Sequence, residues 1–225
     1  MLIKRWMSKP VVTVEKDASL MDVSDLFKTK IISMVPVMDD GRIIGIVTDG
    51  DIKKASPSKA TSLDIYELMT LVRKIKITSL MSSPVITIPG NFTVDEAAAK
   101  MLANNISGMP VMGDNGKMEG IITKSDIFRC LVSFTGAGHK GQTFAFKVKD
   151  RSGIVQDLMD SVRNHRARIH SVLTSNEEKD DGFRKIIIHT FGIAPDRFDP
   201  MVKALGAIAE MTYAADQTTG QRIVF

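Results

Sequence analysis

The sequence predicts an α/β (α+β) chain: a duplicated β-α-β-β-α unit followed by a smaller β-α-β-β-α-β domain. Three observations carry that expectation. Met7-Ser8-Lys9-Pro10-Val11-Val12-Thr13-Val14 returns as Met81-Ser82-Ser83-Pro84-Val85-Ile86-Thr87-Ile88, from position 7 to position 81, an offset of 74 residues. Gly45-Ile46-Val47-Thr48-Asp49-Gly50-Asp51 returns as Gly120-Ile121-Ile122-Thr123-Lys124-Ser125-Asp126. After Phe134 a glycine-rich joint, Thr135-Gly136-Ala137-Gly138-His139-Lys140-Gly141, opens a half with a different pattern.

Each repeat begins with a short strand, Val11 to Val14 and Val85 to Ile88. A helix follows, and its start carries a capping signal: Ser19-x-x-Asp22 in one copy, Thr93-x-x-Glu96 in the other. Leu20, Val23, Leu26 and Phe27, and likewise Val94, Ala97, Ala98, Met101 and Leu102, form apolar stripes at helical spacing. A strand is expected around Pro36 and Pro110, then a turn at Asp39-Asp40-Gly41 or Asp114-Asn115-Gly116, then a β-rich run from Arg42 to Thr48 or Met118 to Thr123. The offset reaches 75 residues by Gly120, so one residue has been gained in the second turn, where a fold tolerates it. Asp51 and Asp126 open the closing helices, and Lys59 to Met69 reads as an insertion that follows Pro57.

In the second half, Thr143-Phe144-Ala145-Phe146-Lys147-Val148 alternates as a strand, Asp150-Arg151-Ser152-Gly153 turns the chain, and Ile154, Leu158, Met159 and Val162 mark a helix. Strands are expected from Ile169 to Thr174 and from Arg184 to Phe191, joined by the turn Asn176 to Gly182. A helix near Met201 to Leu205 and a strand near Met211 to Ala215 complete the order. The division is 1–60 and 76–134 for the repeats, 61–75 for an insertion or linker, 135–141 for the glycine-rich linker, 142–216 for the last domain and 217–225 for a tail.

With 225 residues, 44% of them hydrophobic and 25% charged, the chain can bury two or three small cores without covalent staples. Its one cysteine, Cys130, lies in an apolar run and reads as a buried thiol. The N-terminal residues lack the apolar core of a secretory signal, and no run approaches the ~20 residues of a membrane span, so the reading is cytoplasmic with no membrane partner. Basic and acidic residues, 30 and 26, are interspersed, giving +4 overall. That balance permits a phosphate-bearing ligand and does not call for a nucleic acid. The four histidines have no metal-ligand spacing, and no nucleophile-base constellation can be assembled, so neither a metal site nor a catalytic site is expected.

The motifs Met-x-x-Pro-h-x-Thr-h, Ile-Ser-x-x-Pro-Val and Gly-h-h-Thr-x-x-Asp, present in order in both copies, resemble a tandem pair of cystathionine-β-synthase (CBS) domains, called a Bateman module, over roughly residues 1 to 134. The resemblance implies a flat pseudo-symmetric body with two clefts, in which many members of the family bind adenosine nucleotides. A carboxylate can accept both hydroxyls of a ribose, and a helix start attracts a phosphate. One site is accordingly expected from Val12, Thr13, Ser33, Met34, Pro36, Thr48 and Asp51. The other is expected from Ile86, Thr87, Ser107, Met109, Pro110, Thr123, Lys124 and Asp126. The alternative for Thr-x-x-Asp is a capping box that needs no ligand. Lys124 favours phosphate at the second site, where the first has Asp49. Many nucleotide-binding members place an arginine before the motif aspartate; Gly50 and Ser125 stand there, which argues against tight polyphosphate binding.

The order of the second half, with Asp-Arg-x-Gly after its first strand, resembles the ferredoxin-like ACT domain over residues 142 to 216. The resemblance implies a ligand turn at Asp150, Arg151 and Gly153 for an amino acid, although Arg168 stands where the family commonly has asparagine, and it implies sheet-to-sheet pairing. The whole architecture is similar to bacterial acetoin-utilisation regulatory proteins of the AcuB type. The expected function is a non-catalytic sensor with no required cofactor, an adenine nucleotide as regulatory ligand, a homodimeric state and an unidentified protein partner. The rival is a structural or nucleic-acid-binding module with empty clefts.

Overall fold

Both helix starts expected in the repeated half carry complete capping boxes. The backbone N–H of Ser19 donates to the Asp22 carboxylate at 2.9 Å while Asp22 N–H donates to Ser19 Oγ at 3.2 Å. Thr93 and Glu96 repeat the exchange at 2.7 and 3.4 Å. The computed structural model describes residues 1–55, 72–137, 139–175 and 182–225, in two units, Met1–Phe128 and Arg129–Phe225. The expected insertion from Lys59 to Met69, the stop at Pro57, Gly138 and most of the turn from Asn176 to Gly182 lie outside the described residues.

The first repeat runs β1 (Val14–Glu15), α1 (Leu20–Lys30), β2 (Met34–Asp39), β3 (Arg42–Thr48), α2 (Asp49–Ala55); the second runs β4 (Ile88–Pro89), α3 (Val94–Ala103), β5 (Gly108–Met112), β6 (Met118–Thr123), α4 (Lys124–Thr135). Each makes a three-stranded sheet, with a parallel first pair and an antiparallel second pair in matching register: Val14 opposite Val37 and Pro36 opposite Ile46, Ile88 opposite Val111 and Pro110 opposite Ile121. The gained residue falls in the loop closed by Gly113 N–H to the Lys117 carbonyl, in place of the tight Asp40-Gly41 turn. The first strands are shorter than their Val-rich sequence predicts. Residues 11–13 and 85–87 have no ladder partner, and residues 84–86 line a cleft instead.

The two repeats exchange their leading segments. Ile3 and Met7 sit in the second repeat's core with Ile88, Met101, Met109 and Ile122, while Ile77 sits in the first repeat's core with Leu20, Val35 and Val47. Paired backbone hydrogen bonds fix the crossing, Ser8 with Ile121 at 2.8 and 3.1 Å and Ser82 with Ile46 at 2.8 and 3.1 Å. The motif glycines make room for it: a Cβ at Gly120 would collide with the Met7 side chain, and one at Gly45 with that of Met81. The methionine of each Met-x-x-Pro motif therefore seats on the glycine of the other copy's Gly-h-h-Thr motif.

The second unit contains β7 (Gln142–Lys149), α5 (Ile154–Asn164), β8 (Arg168–Ser175), β9 (Phe183–Phe191), α6 (Phe198–Gly206), β10 (Glu210–Asp216) and β11 (Arg222–Val224). The five strands form an antiparallel sheet ordered β11-β10-β7-β9-β8. Alternate residues Phe144, Phe146 and Val148 of β7 and Ile186 and Ile188 of β9 meet Ile154, Leu158 and Val162 of α5 and Met201 and Leu205 of α6. The expected tail is thus partly an edge strand, which Tyr213 opposite Val224 holds to β10. Cys130 is buried, as its sequence context predicts. Among the described residues no helix is long and apolar enough to cross a membrane.

His189 is buried in this sheet, with the His170 ring 5.8 Å away and His139 beyond it, 5.4 Å from His170. Burial first, then the two neighbouring imidazoles, holds its pKa below the usual 6.5. A group that binds its proton less readily when folded contributes stability present above the unfolded pKa and lost as pH falls below it. The second unit should therefore lose stability as pH falls below about 6.5, and His189→Gln should flatten that slope. Denaturant midpoints of both proteins across this range test it, and equal slopes would refute the assignment.

Candidate functional site

A cleft in the first unit is built from both copies of the repeat. It encloses about 290 Å³ and is lined by Met34, Ile46, Thr48 and Asp51 from the first repeat. Ser82, residues 84–86 and residues 105–108 close it from the second. Strand alternation positions these groups: Met34 begins β2 beside Gly108 at the start of β5, and a Cβ on Gly108 would come within 3.2 Å of the Met34 sulfur. Residues 84–86, which pair with no strand, add the apolar residues Pro84, Val85 and Ile86 to its lining.

Thr48 and Asp51 make a capping box at the start of α2. Asp51 Oδ2 accepts from Thr48 N–H at 2.9 Å and from Thr48 Oγ1 at 2.6 Å, and Asp51 N–H donates to Thr48 Oγ1 at 3.4 Å. The box engages Oδ2 only, and Asp51, half-buried, lines the cleft. Thr123 and Asp126 make the same box at 2.8, 2.7 and 3.4 Å. There, however, Asp126 Oδ1 accepts from the Ser8 hydroxyl at 3.1 Å, and the residue is 2% exposed. The two motifs share a cap and differ in what their second oxygen does.

The sequence profile of the CBS domain matches residues 3–58 and 76–133. The chain belongs to the CBS-domain family. The CBS pair is similar to uncharacterized protein MJ1426 of Methanocaldococcus jannaschii, 35% identical over 59% of this chain and 92% of that protein. It is also similar to L-aspartate semialdehyde sulfurtransferase of the same organism, 33% identical over 57% of this chain, and it spans 23% of that enzyme's length. Among solved structures, it is similar to the CBS domain pair of protein MJ0100, in complex with 5′-methylthioadenosine and S-adenosyl-L-methionine. There identity is 32% over 58% of this chain and 95% of that one, with a TM-score of 0.48.

The grouping expected from sequence, one site per repeat, differs from the geometry of the CBS pair. Met34, Thr48 and Asp51 share the cleft with Ile86 and Ser107 of the other set. Val12, Thr13 and Ser33 do not line it; Thr13 and Ser33 are exposed. Pro36 and Pro110 are buried within β2 and β5, and Met109 is fully buried in the second repeat's core because it points to the opposite face from Gly108. Thr87 is half-buried, its carbonyl accepting from Lys100 Nζ at 2.9 Å, and Lys124 is exposed. Ser82, Ile106 and Asn105, absent from the expected sets, line the cleft. Asn105 has φ 51°, a left-handed conformation that asparagine adopts more readily than most residues, so its turn position was readable.

In the second unit the turn expected to hold an amino acid is internally paired. Arg184 bridges to Asp150 at 3.0 Å, Arg151 to Asp157 at 2.6 Å, and Gly153 takes φ 87° just before α5.

Proposed function

We propose that the chain is a non-catalytic sensor whose CBS pair takes an adenosyl ligand, AMP, ADP, ATP or a related compound. In this reading occupancy shifts the balance between two packings of the pair. Residues 142–216 act as an ACT-like domain that passes the state on, within a cytoplasmic homodimer of the AcuB type, to a protein partner. The order β-α-β-β-α-β and the strand order β10-β7-β9-β8 support the ACT-like assignment. The observation that carries the ligand reading is the cleft. It sets an acceptor oxygen of Asp51, suited to a ribose hydroxyl, beside the main chain and apolar walls of residues 84–86, suited to a flat base.

The first cleft, rather than the second favoured by Lys124, is the proposed site, because Ser8 already occupies the second oxygen of Asp126. A thermal-shift panel of AMP, ADP, ATP, S-adenosylmethionine and NADH tests the reading. A ligand at about 100 times its Kd adds roughly 2.7 kcal/mol, a rise of about 5–10 °C, and Asp51→Ala should abolish it. No shift with any compound would return both motif aspartates to the role of helix caps.

A further inference from the structure

We infer that the first cleft selects an adenosyl compound whose 5′ substituent is uncharged or cationic, such as a thioether or sulfonium, over any 5′-phosphate; this rests on the adenosyl reading above. Among the described residues that line the cleft none is a lysine, arginine or histidine, and the one that carries charge is Asp51. A phosphate placed there would meet a negative charge with no compensating cation among the described lining residues.

Three of the backbone amides that would otherwise receive an anion are committed. At the start of α2, Thr48 N–H donates to Asp51 Oδ2, Asp49 N–H to the Ser33 carbonyl at 2.9 Å, and Asp51 N–H to Thr48 Oγ1. The neighbouring carboxylate, Asp49, adds negative charge, and its partner Lys53 is 75% exposed and turned into solvent along the helix. The other lining groups are the uncharged polar side chains of Thr48, Ser82, Asn105 and Ser107 and the apolar Met34, Ile46, Pro84, Val85, Ile86 and Ile106. The apolar stretch favours a methylthio group over a hydrated oxyanion. An amine or sulfonium would instead find Asp51 as its counter-charge.

Calorimetric titration of the full chain with adenosine, 5′-methylthioadenosine, S-adenosylmethionine, AMP and ATP tests this. The expected result is that 5′-methylthioadenosine or S-adenosylmethionine binds at least about tenfold more tightly than AMP or ATP. Asp51→Asn should narrow that ratio, and Ser107→Lys, which brings a cation to the rim, should improve AMP binding selectively. AMP or ATP binding as tightly as 5′-methylthioadenosine would overturn the selectivity and leave the adenosyl reading standing. If all five compounds fail to bind, both fall.

Discussion

Ile3→Ala and Ile77→Ala should each destabilise the first unit by about 3 kcal/mol, the usual range for emptying a buried isoleucine site, lowering Tm by roughly 10 °C. Both side chains are fully buried. The larger point is where each loss is felt. Ile3 packs with Met101, Met109 and Ile122, so its removal should raise amide exchange in α3, β5 and β6. Ile77 packs with Leu20, Val35 and Val47, so its removal should do the same in α1, β2 and β3. Each substitution thus loosens the repeat to which its residue does not belong by sequence. Exchange rising instead in the repeat that contains the substitution would contradict the crossed core.

That crossing explains why some of the site was legible and some was not. Ser19 with Asp22 and Thr93 with Glu96 are local pairs, three residues apart, and their chemistry follows from the residue types alone. Thr48 with Asp51 is equally local, so both a hydroxyl and a carboxylate at a helix start could be read. What periodicity cannot state is which copy faces which. The repeat shows that Gly45 corresponds to Gly120 and Met7 to Met81. It does not show that Gly45 receives Met81, because a duplicated sequence is compatible with either pairing. The site sets drawn one per repeat inherit that ambiguity, and Ser8, 118 residues from Asp126, is invisible to it. Val11 to Val14 fails as a strand for a similar reason. Its β propensity is satisfied only at Val14 and Glu15, where β2 supplies a partner, since strand formation depends on tertiary context.

The difference between the two motif aspartates leads to the second large effect, on stability rather than binding. Asp126→Ala should cost about 2–3 kcal/mol, combining the loss of a helix cap with a Ser8 hydroxyl deprived of its acceptor. Asp51→Ala removes a cap whose carboxylate is half-exposed, and should cost about 1 kcal/mol. Urea midpoints measured with an unchanged m-value would give both numbers. The ligand response should run the other way, with Asp126→Ala keeping the thermal shift that Asp51→Ala loses. An Asp126→Ala protein within about 0.5 kcal/mol of the parent, the ordinary range for a surface change, would mean that Ser8 does not close the second motif. Loss of the ligand response in that variant, with Asp51→Ala unaffected, would move the binding site to the second cleft. The two repeats thus hold the same four-residue motif in two roles: in one the aspartate's second oxygen is bound to Ser8, and in the other the aspartate lines the cleft.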